Sequence, residues 1–167
     1  MPSDLGVSVR CAATVTGMGD GVGADGGHDC VFCDIVDGRR EAEIVFRDEV
    51  AIAFLDHSPL FVGHTLVVPL RHVVTLPDLT PAEVGPYFER VRLIATAVPI
   101  ALDAQGTFVA ENNVVSQSVA HLHVHVVPRT KGDGLRGFFW PRHRYAPGEA
   151  ASAGARLRRV IADIGPA

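Results

Sequence analysis

His121-Leu122-His123-Val124-His125-Val126-Val127 is the stretch on which the reading of this chain turns. Successive side chains of an extended strand point to opposite faces, which puts Leu122, Val124 and Val126 on one side and His121, His123 and His125 on the other. The apolar set anchors such a strand in a core. The imidazoles stand in a row, roughly 7 Å between neighbours from the strand rise. Three imidazoles on an exposed face have little packing value, and histidine titrates near neutrality and binds metals. The row reads as a solvated sheet face, as a structural metal site or as a site of chemistry.

Working outward, short β-branched and aromatic runs precede this strand. EIVFRD (43–48) and VAIAFLD (50–56) read as a β-hairpin, and HTLVVPL (64–70) as a third strand stopped by Pro69, which cannot donate to a central ladder. Thr80-Pro81-Ala82-Glu83 combines an N-cap, a proline at the first helical position and a capping-box glutamate. Val84, Phe88, Val91, Ala95, Val98 and Leu102 then follow at helical spacing as one apolar face, and Pro99 is expected to kink or shorten the last turn. GTFVAENN (106–113) reads as a fourth strand, VAHLHVHVVPR (119–129) as a fifth, and residues 147–164 as an alanine-rich helix. Strands in consecutive pairs around one long helix predict an α+β domain on an antiparallel sheet of about five strands, with a C-terminal helix. The expected organisation is a flexible glycine-rich leader over 1–28, one domain over 29–145 and a helical tail over 146–167.

Composition bounds the partners. The chain has 167 residues, 47% hydrophobic and 20% charged, with a net charge of −4, which suits one soluble domain without a basic field for DNA, RNA or an anionic membrane. No apolar run approaches the ~20 residues a membrane span needs. The three cysteines, two of them in Cys30-x-x-Cys33, do not describe a disulfide-stapled secreted scaffold, and a cytoplasmic location is expected. Eight histidines exceed what packing asks of this length.

The motif HLHVHVV resembles the signature of the histidine-triad superfamily, His-φ-His-φ-His-φ-φ with φ apolar, at every position. SQSV (116–119) resembles the Gly-Gln-Ser/Thr-Val that leads into it. FLDHSPLFVGHTLVVPLRH (54–72) resembles the upstream Phe-x-Asp-x-x-Pro-x-x-x-Gly-His-x-Leu-Val-x-Pro-x-x-His, and CVFCDIVDG (30–38) the opening Cys-x-Phe-Cys-x-Ile. The matches come in the family's order over about residues 30–130. A cupin-type iron site also starts from His-x-His, but Val126-Val127-Pro128-Arg129 follows where its carboxylate ligand belongs.

The resemblance implies cleavage at the α-phosphate of a nucleotide through a nucleotidyl-histidine, releasing a nucleoside monophosphate. Dinucleoside polyphosphates, nucleoside phosphoramidates and adenylyl conjugates are the implied substrates, with AMP or GMP as the purine moiety. Carried over residue by residue, His123 is the nucleophile and His125 a donor to a phosphate oxygen, while Gln117 and Ser118 are neutral donors to the phosphate or leaving group. Asp56 accepts from ribose hydroxyls, Phe32 and Ile35 hold the base with Leu55 and His57 close by, and Asn113 touches phosphate or ribose. Read without the family, Phe32 and Ile35 are ordinary core residues, and Asp56 is a turn-initiating aspartate ahead of Ser58-Pro59. The different class of function left open is a zinc-stabilised nucleotide-binding module with little turnover that acts through partners.

Cys30-x-x-Cys33 has metal-ligand spacing; a redox pair has the same spacing, but no thioredoxin-like pattern surrounds this one. In the zinc-bearing branch of the family the remaining ligands correspond to His72 and His121, which implies a closed, structural Cys2His2 zinc with no metal at the phosphate. His64 reads as a structural or supporting histidine. Asn112-Asn113-Val114-Val115-Ser116-Gln117 departs from the family's glycine-containing approach, and Ser116 in place of glycine predicts a backbone that does not need φ > 0. The basic, aromatic run 128–142 offers Arg129, Lys131, Arg136 and Arg142 to a polyphosphate, or its Phe138, Phe139 and Trp140 to a dimer contact; it reads equally as a solvated loop. The resemblance also implies a twofold homodimer with joined sheets.

Overall fold

The computed structural model describes residues 30–135 and 144–164. The expected leader (1–28) and Arg136, Phe138, Phe139, Trp140 and Arg142 lie outside the described residues.

Cys30 opens a short helix that the sequence reading left out, α1 (Val31–Val36), by accepting the Cys33 backbone N–H on its sulfur at 3.5 Å. The strands β1 (Ile44–Arg47) and β2 (Ala51–Leu55) form the expected hairpin. Its turn is held by Asp48, which accepts from the N–H groups of Val50 and Ala51 and is gripped by Arg90 at 2.7 Å. β3 (Thr65–Pro69) ends on the proline, and the long helix α2 spans Pro81–Leu102. β4 (Gly106–Ala110), β5 (Val124–Arg129) and α3 (Glu149–Ile164) complete the chain. The five strands run β1-β2-β3-β5-β4, all antiparallel, in the predicted α+β arrangement.

Period-two alternation sorts the sheet into two cores. Ala51, Ala53, Leu55, Val67, Leu122, Val124 and Val126 face α2 and α3, whereas Ile52, Phe54, Leu66 and Val68 face α1. The expected face of α2 is rotated. Val91 and Val98 are buried as predicted, but Val84 and Phe88 are 38% and 36% exposed, and the buried stripe is Tyr87, Val91, Ile94, Ala97, Val98 and Ala101. Both stripes have helical spacing, and the buried one includes Tyr87, whose O–H donates to the Val67 carbonyl at 2.8 Å. Pro99 does not shorten the helix, which runs on to Leu102 and closes on Asp103 in the left-handed conformation.

The histidine strand also differs from expectation. Its ladder begins only at Val124, because residues 121–123 approach as a non-strand segment tied by the Leu122 N–H to the Val73 carbonyl at 2.7 Å. The histidine face is not exposed: α1 covers it, and His121 and His123 are buried. Gly63, at φ +88°, lets the turn before β3 press against α2; a Cβ there would lie 2.0 Å from a Leu102 methyl.

Candidate active site and metal centre

Two of the triad histidines, His121 and His123, have their protons placed by a backbone carbonyl. The His123 Nδ1–H donates to the His121 carbonyl at 2.7 Å, which leaves the lone pair on Nε2. The His121 Nε2–H donates to the Pro69 carbonyl at 3.0 Å, which leaves its lone pair on Nδ1. Pro69 cannot donate to the ladder, yet its carbonyl fixes this ring. The rings of His123 and His125 sit 4.9 Å apart, closer than the Cα spacing of a flat strand, and the Phe32 ring meets His123 edge-on at 5.1 Å.

His121 Nδ1 points at two thiols. It lies 3.4 Å from Cys30 Sγ and 3.7 Å from Cys33 Sγ, and Cys33 Sγ lies 3.2 Å from His72 Nδ1. The four ligand atoms all fall within 4.8 Å of one another. With Zn–S near 2.3 Å and Zn–N near 2.0 Å, a tetrahedron has S···N edges of about 3.5 Å. The three observed separations match that edge, and soft thiolates with neutral imidazoles are the donor set zinc prefers. The pieces come from the N-cap and first turn of α1, the turn after β3 and the approach to β5.

Burial biases these rings toward the neutral form. Loss of solvent pushes His64 down to about 4, His125 to about 3 and His121 to about 4, and it lowers His123. The consequence for stability follows from the sign. A neutral His64 ring that resists protonation in the folded state, but titrates near 6.5 when unfolded, lets the unfolded chain bind the extra proton between about 4 and 6.5. Stability is fully present above that window and is lost as pH falls through it. Urea unfolding at pH 7 and pH 5 is therefore expected to show a drop of order 1 kcal/mol per pH unit for such a site; equal midpoints would contradict the neutral buried rings.

The remaining predicted site residues are not all brought together. Phe32 and Ile35 are buried beside the histidine face, with Phe54 stacked edge-on at 5.5 Å from Phe32. Leu55 is not with them: it packs on the α2 side with Ala51 and Ala53, because neighbouring strand residues face opposite ways. Phe54 takes that place, and the alternation in VAIAFLD was the signal for it. Asp56 both caps a turn and borders the site, accepting from Ser58 N–H at 2.9 Å while its other oxygen lies 3.5 Å from His64 Nδ1. His57 is exposed beside it.

The approach loop is folded onto itself. Asn113 accepts from the Leu76 N–H and donates to Glu111, while Gln117 accepts from the Val114 N–H and donates to the Val74 carbonyl. Ser116 has φ +61° and Val114 φ +66°, so the loop does demand left-handed backbone, contrary to the reading of Ser116. Ser118 lines a groove of about 420 Å³ with Cys30, Val31, His72, Val74, Val119 and Ala120. Arg129 is clasped by Asp133 through a bidentate pair at 2.6 and 2.9 Å rather than turned to a ligand.

A model of the HIT domain matches residues 37–132. This chain belongs to the HIT domain family. Cys30 and Cys33 of this HIT chain precede the matched span, so half of the candidate metal-ligand group lies outside it. The chain is 34% identical over 140 residues to Protein hit of Bacillus subtilis, covering 81% of this chain and 96% of that protein. It is 33% identical over 110 residues to an adenylylsulfatase of Arabidopsis thaliana, covering 65% of this chain and 56% of that one. The fold matches the crystal structure of a Zn-bound histidine triad family protein from Mycobacterium smegmatis with TM-score 0.71 and 38% identity, covering 81% and 95% of the two chains. No described helix of the HIT chain is long and apolar enough to cross a membrane.

Proposed function

We propose that this HIT protein cleaves nucleotides at the α-phosphate through a nucleotidyl-histidine on His123 and releases a nucleoside monophosphate. The observation that carries this reading is the His123 tautomer: with Nδ1–H held by the His121 carbonyl, the nucleophilic lone pair is on Nε2 at neutral pH, with no prior deprotonation required. His123 Nε2 forms the N–P bond as the P–O or P–N bond to the leaving group breaks. Water then attacks the same phosphorus, returns the ring to its neutral state and frees the monophosphate. His125 donates to a non-bridging oxygen, and Ser118 and Gln117 donate to the phosphate or the departing group, Gln117 exchanging its bond to Val74 for that purpose. Phe32 and Ile35 hold a purine, Asp56 accepts from the ribose through the oxygen not committed to Ser58, with His57 beside it, and Asn113 borders the phosphates.

Zinc is the metal the Cys30, Cys33, His72 and His121 donor set suits, and four protein ligands leave no position open for chemistry. Its part is structural: it clips α1 to the approach of the nucleophile. A twofold dimer through the outer edge of β4 is the assembly this reading includes, since β4 ends the sheet and exposes Val109. The two thiols fit a reducing, cytoplasmic setting.

Incubation of the purified chain with adenosine phosphoramidate and, separately, with diadenosine tetraphosphate tests the activity by release of AMP. AMP from at least one substrate is expected. Tight AMP binding with neither substrate consumed points instead to a nucleotide-binding module.

A further inference from the structure

Among the described residues, His64 is the one buried imidazole that neither the reaction scheme nor the Cys30-Cys33-His72-His121 cluster gives a task, and both its ring nitrogens face a partner. The Leu60 backbone N–H is directed at His64 Nδ1 at 3.2 Å, so that nitrogen holds a lone pair and the ring's proton is on Nε2. His64 Nε2 lies 2.9 Å from His125 Nδ1, and the two rings are 5.1 Å apart. A donating Nε2–H makes His125 Nδ1 the acceptor, which places the His125 proton on Nε2, the ring nitrogen remote from His64. Asp56, His64 and His125 could also be read as a cation site, since their ligand atoms fall within 4.8 Å of one another. The hydrogen bonds oppose that: the single lone pair of neutral His64 is already taken by a backbone N–H that cannot rotate away.

We infer that His64 is a positioning residue that sets the tautomer of His125, so that His125 meets its ligand as an Nε2–H donor. The instruction originates in the backbone at Leu60, passes through one buried ring and arrives at the second. A His125 ring protonated on Nδ1 instead would present a lone pair where a phosphate oxygen needs a donor. The inference rests on the proposed role of His125 as a phosphate donor; the tautomer itself does not.

Two substitutions separate the halves of the relay. His64→Asn places an oxygen near the Nδ1 position, which keeps the bond from Leu60 and removes the donor to His125. His64→Gln places an amide N–H near the Nε2 position and keeps that donor. Long-range ¹⁵N–¹H spectra of the full chain are expected to show His64 and His125 both protonated on Nε2 in the wild type, His125 unchanged in His64→Gln, and His125 shifted to a tautomer mixture in His64→Asn. With adenosine phosphoramidate, kcat is expected to fall about tenfold in His64→Asn, the loss of one oriented hydrogen bond, with KM nearly constant and His64→Gln largely restored. His125 protonated on Nδ1 in the wild type would overturn the inference even if neither variant folds. So would a His125 tautomer indifferent to His64→Asn, or equal kcat losses in both variants. A wild type that turns over no substrate, with the tautomers as described, overturns the proposed reaction and leaves the relay standing.

Discussion

His123→Ala is expected to reduce AMP release by about 10⁴-fold or more while leaving AMP affinity within a few-fold, because the variant removes the atom that forms the covalent intermediate. The position is suited to a clean experiment. His123 is buried, with 3% exposure, and among the described residues its hydrogen bond is to the His121 carbonyl. Truncation leaves a small cavity beside Phe32, which costs about 1–3 kcal/mol and not the fold. Intact mass spectrometry after rapid quenching is the decisive measurement: the wild type is expected to carry one nucleotidyl group, labile in acid as a phosphoramidate, and the variant none. An adduct that persists in His123→Ala, or that maps to His125, would remove the nucleophile assignment.

The second large effect is expected from the metal. Protein purified without added zinc should contain about one equivalent per chain, and Cys33→Ala should contain none. The cluster joins segments far apart in sequence, with Cys30 and His121 separated by 91 residues, so its loss releases α1 from the sheet and uncovers the Phe32, Ile35 and Phe54 core. The α2 core does not depend on it and keeps the chain folded. A loss of about 5 kcal/mol, seen as a fall in Tm of order 10–20 °C, is expected in both Cys33→Ala and chelator-treated wild type, with the second reversed by zinc. Identical melting of treated and untreated protein would show that the thiols and imidazoles hold no metal. His123 would feel the loss too, since the His121 residue that offers a ring to the metal offers its carbonyl to the nucleophile.

Much of this site could be read before any fold was known, and the reason is periodicity. Two faces of β2, β3 and β5 follow from alternation alone, which is why Leu122, Val124 and Val126 were placed in the core and the histidines together. Alternation also separates Leu55 from Phe32, since it is the neighbouring Phe54 that shares the Phe32 face. The face of α2 could not be read in the same way, because two apolar stripes share its spacing and only packing against the sheet chooses Tyr87 over Phe88. Helix α1 escaped notice because six residues carry too little periodicity to announce a helix, and its stability comes from the Cys30 cap and the sheet beneath it.

The row of histidines itself, the pairing of two cysteines at metal spacing and the positions of the strands along the chain were determined by the sequence, since each depends on residue identity and local period. The protonation pattern was decided only in three dimensions. A histidine's tautomer depends on which carbonyl or N–H lies opposite each nitrogen, and those partners are Pro69 for His121, 52 residues away, and His64 for His125, 61 residues away. No local pattern encodes such distances. The chain specifies which rings stand in the row, and the fold specifies which nitrogen of each is left to act.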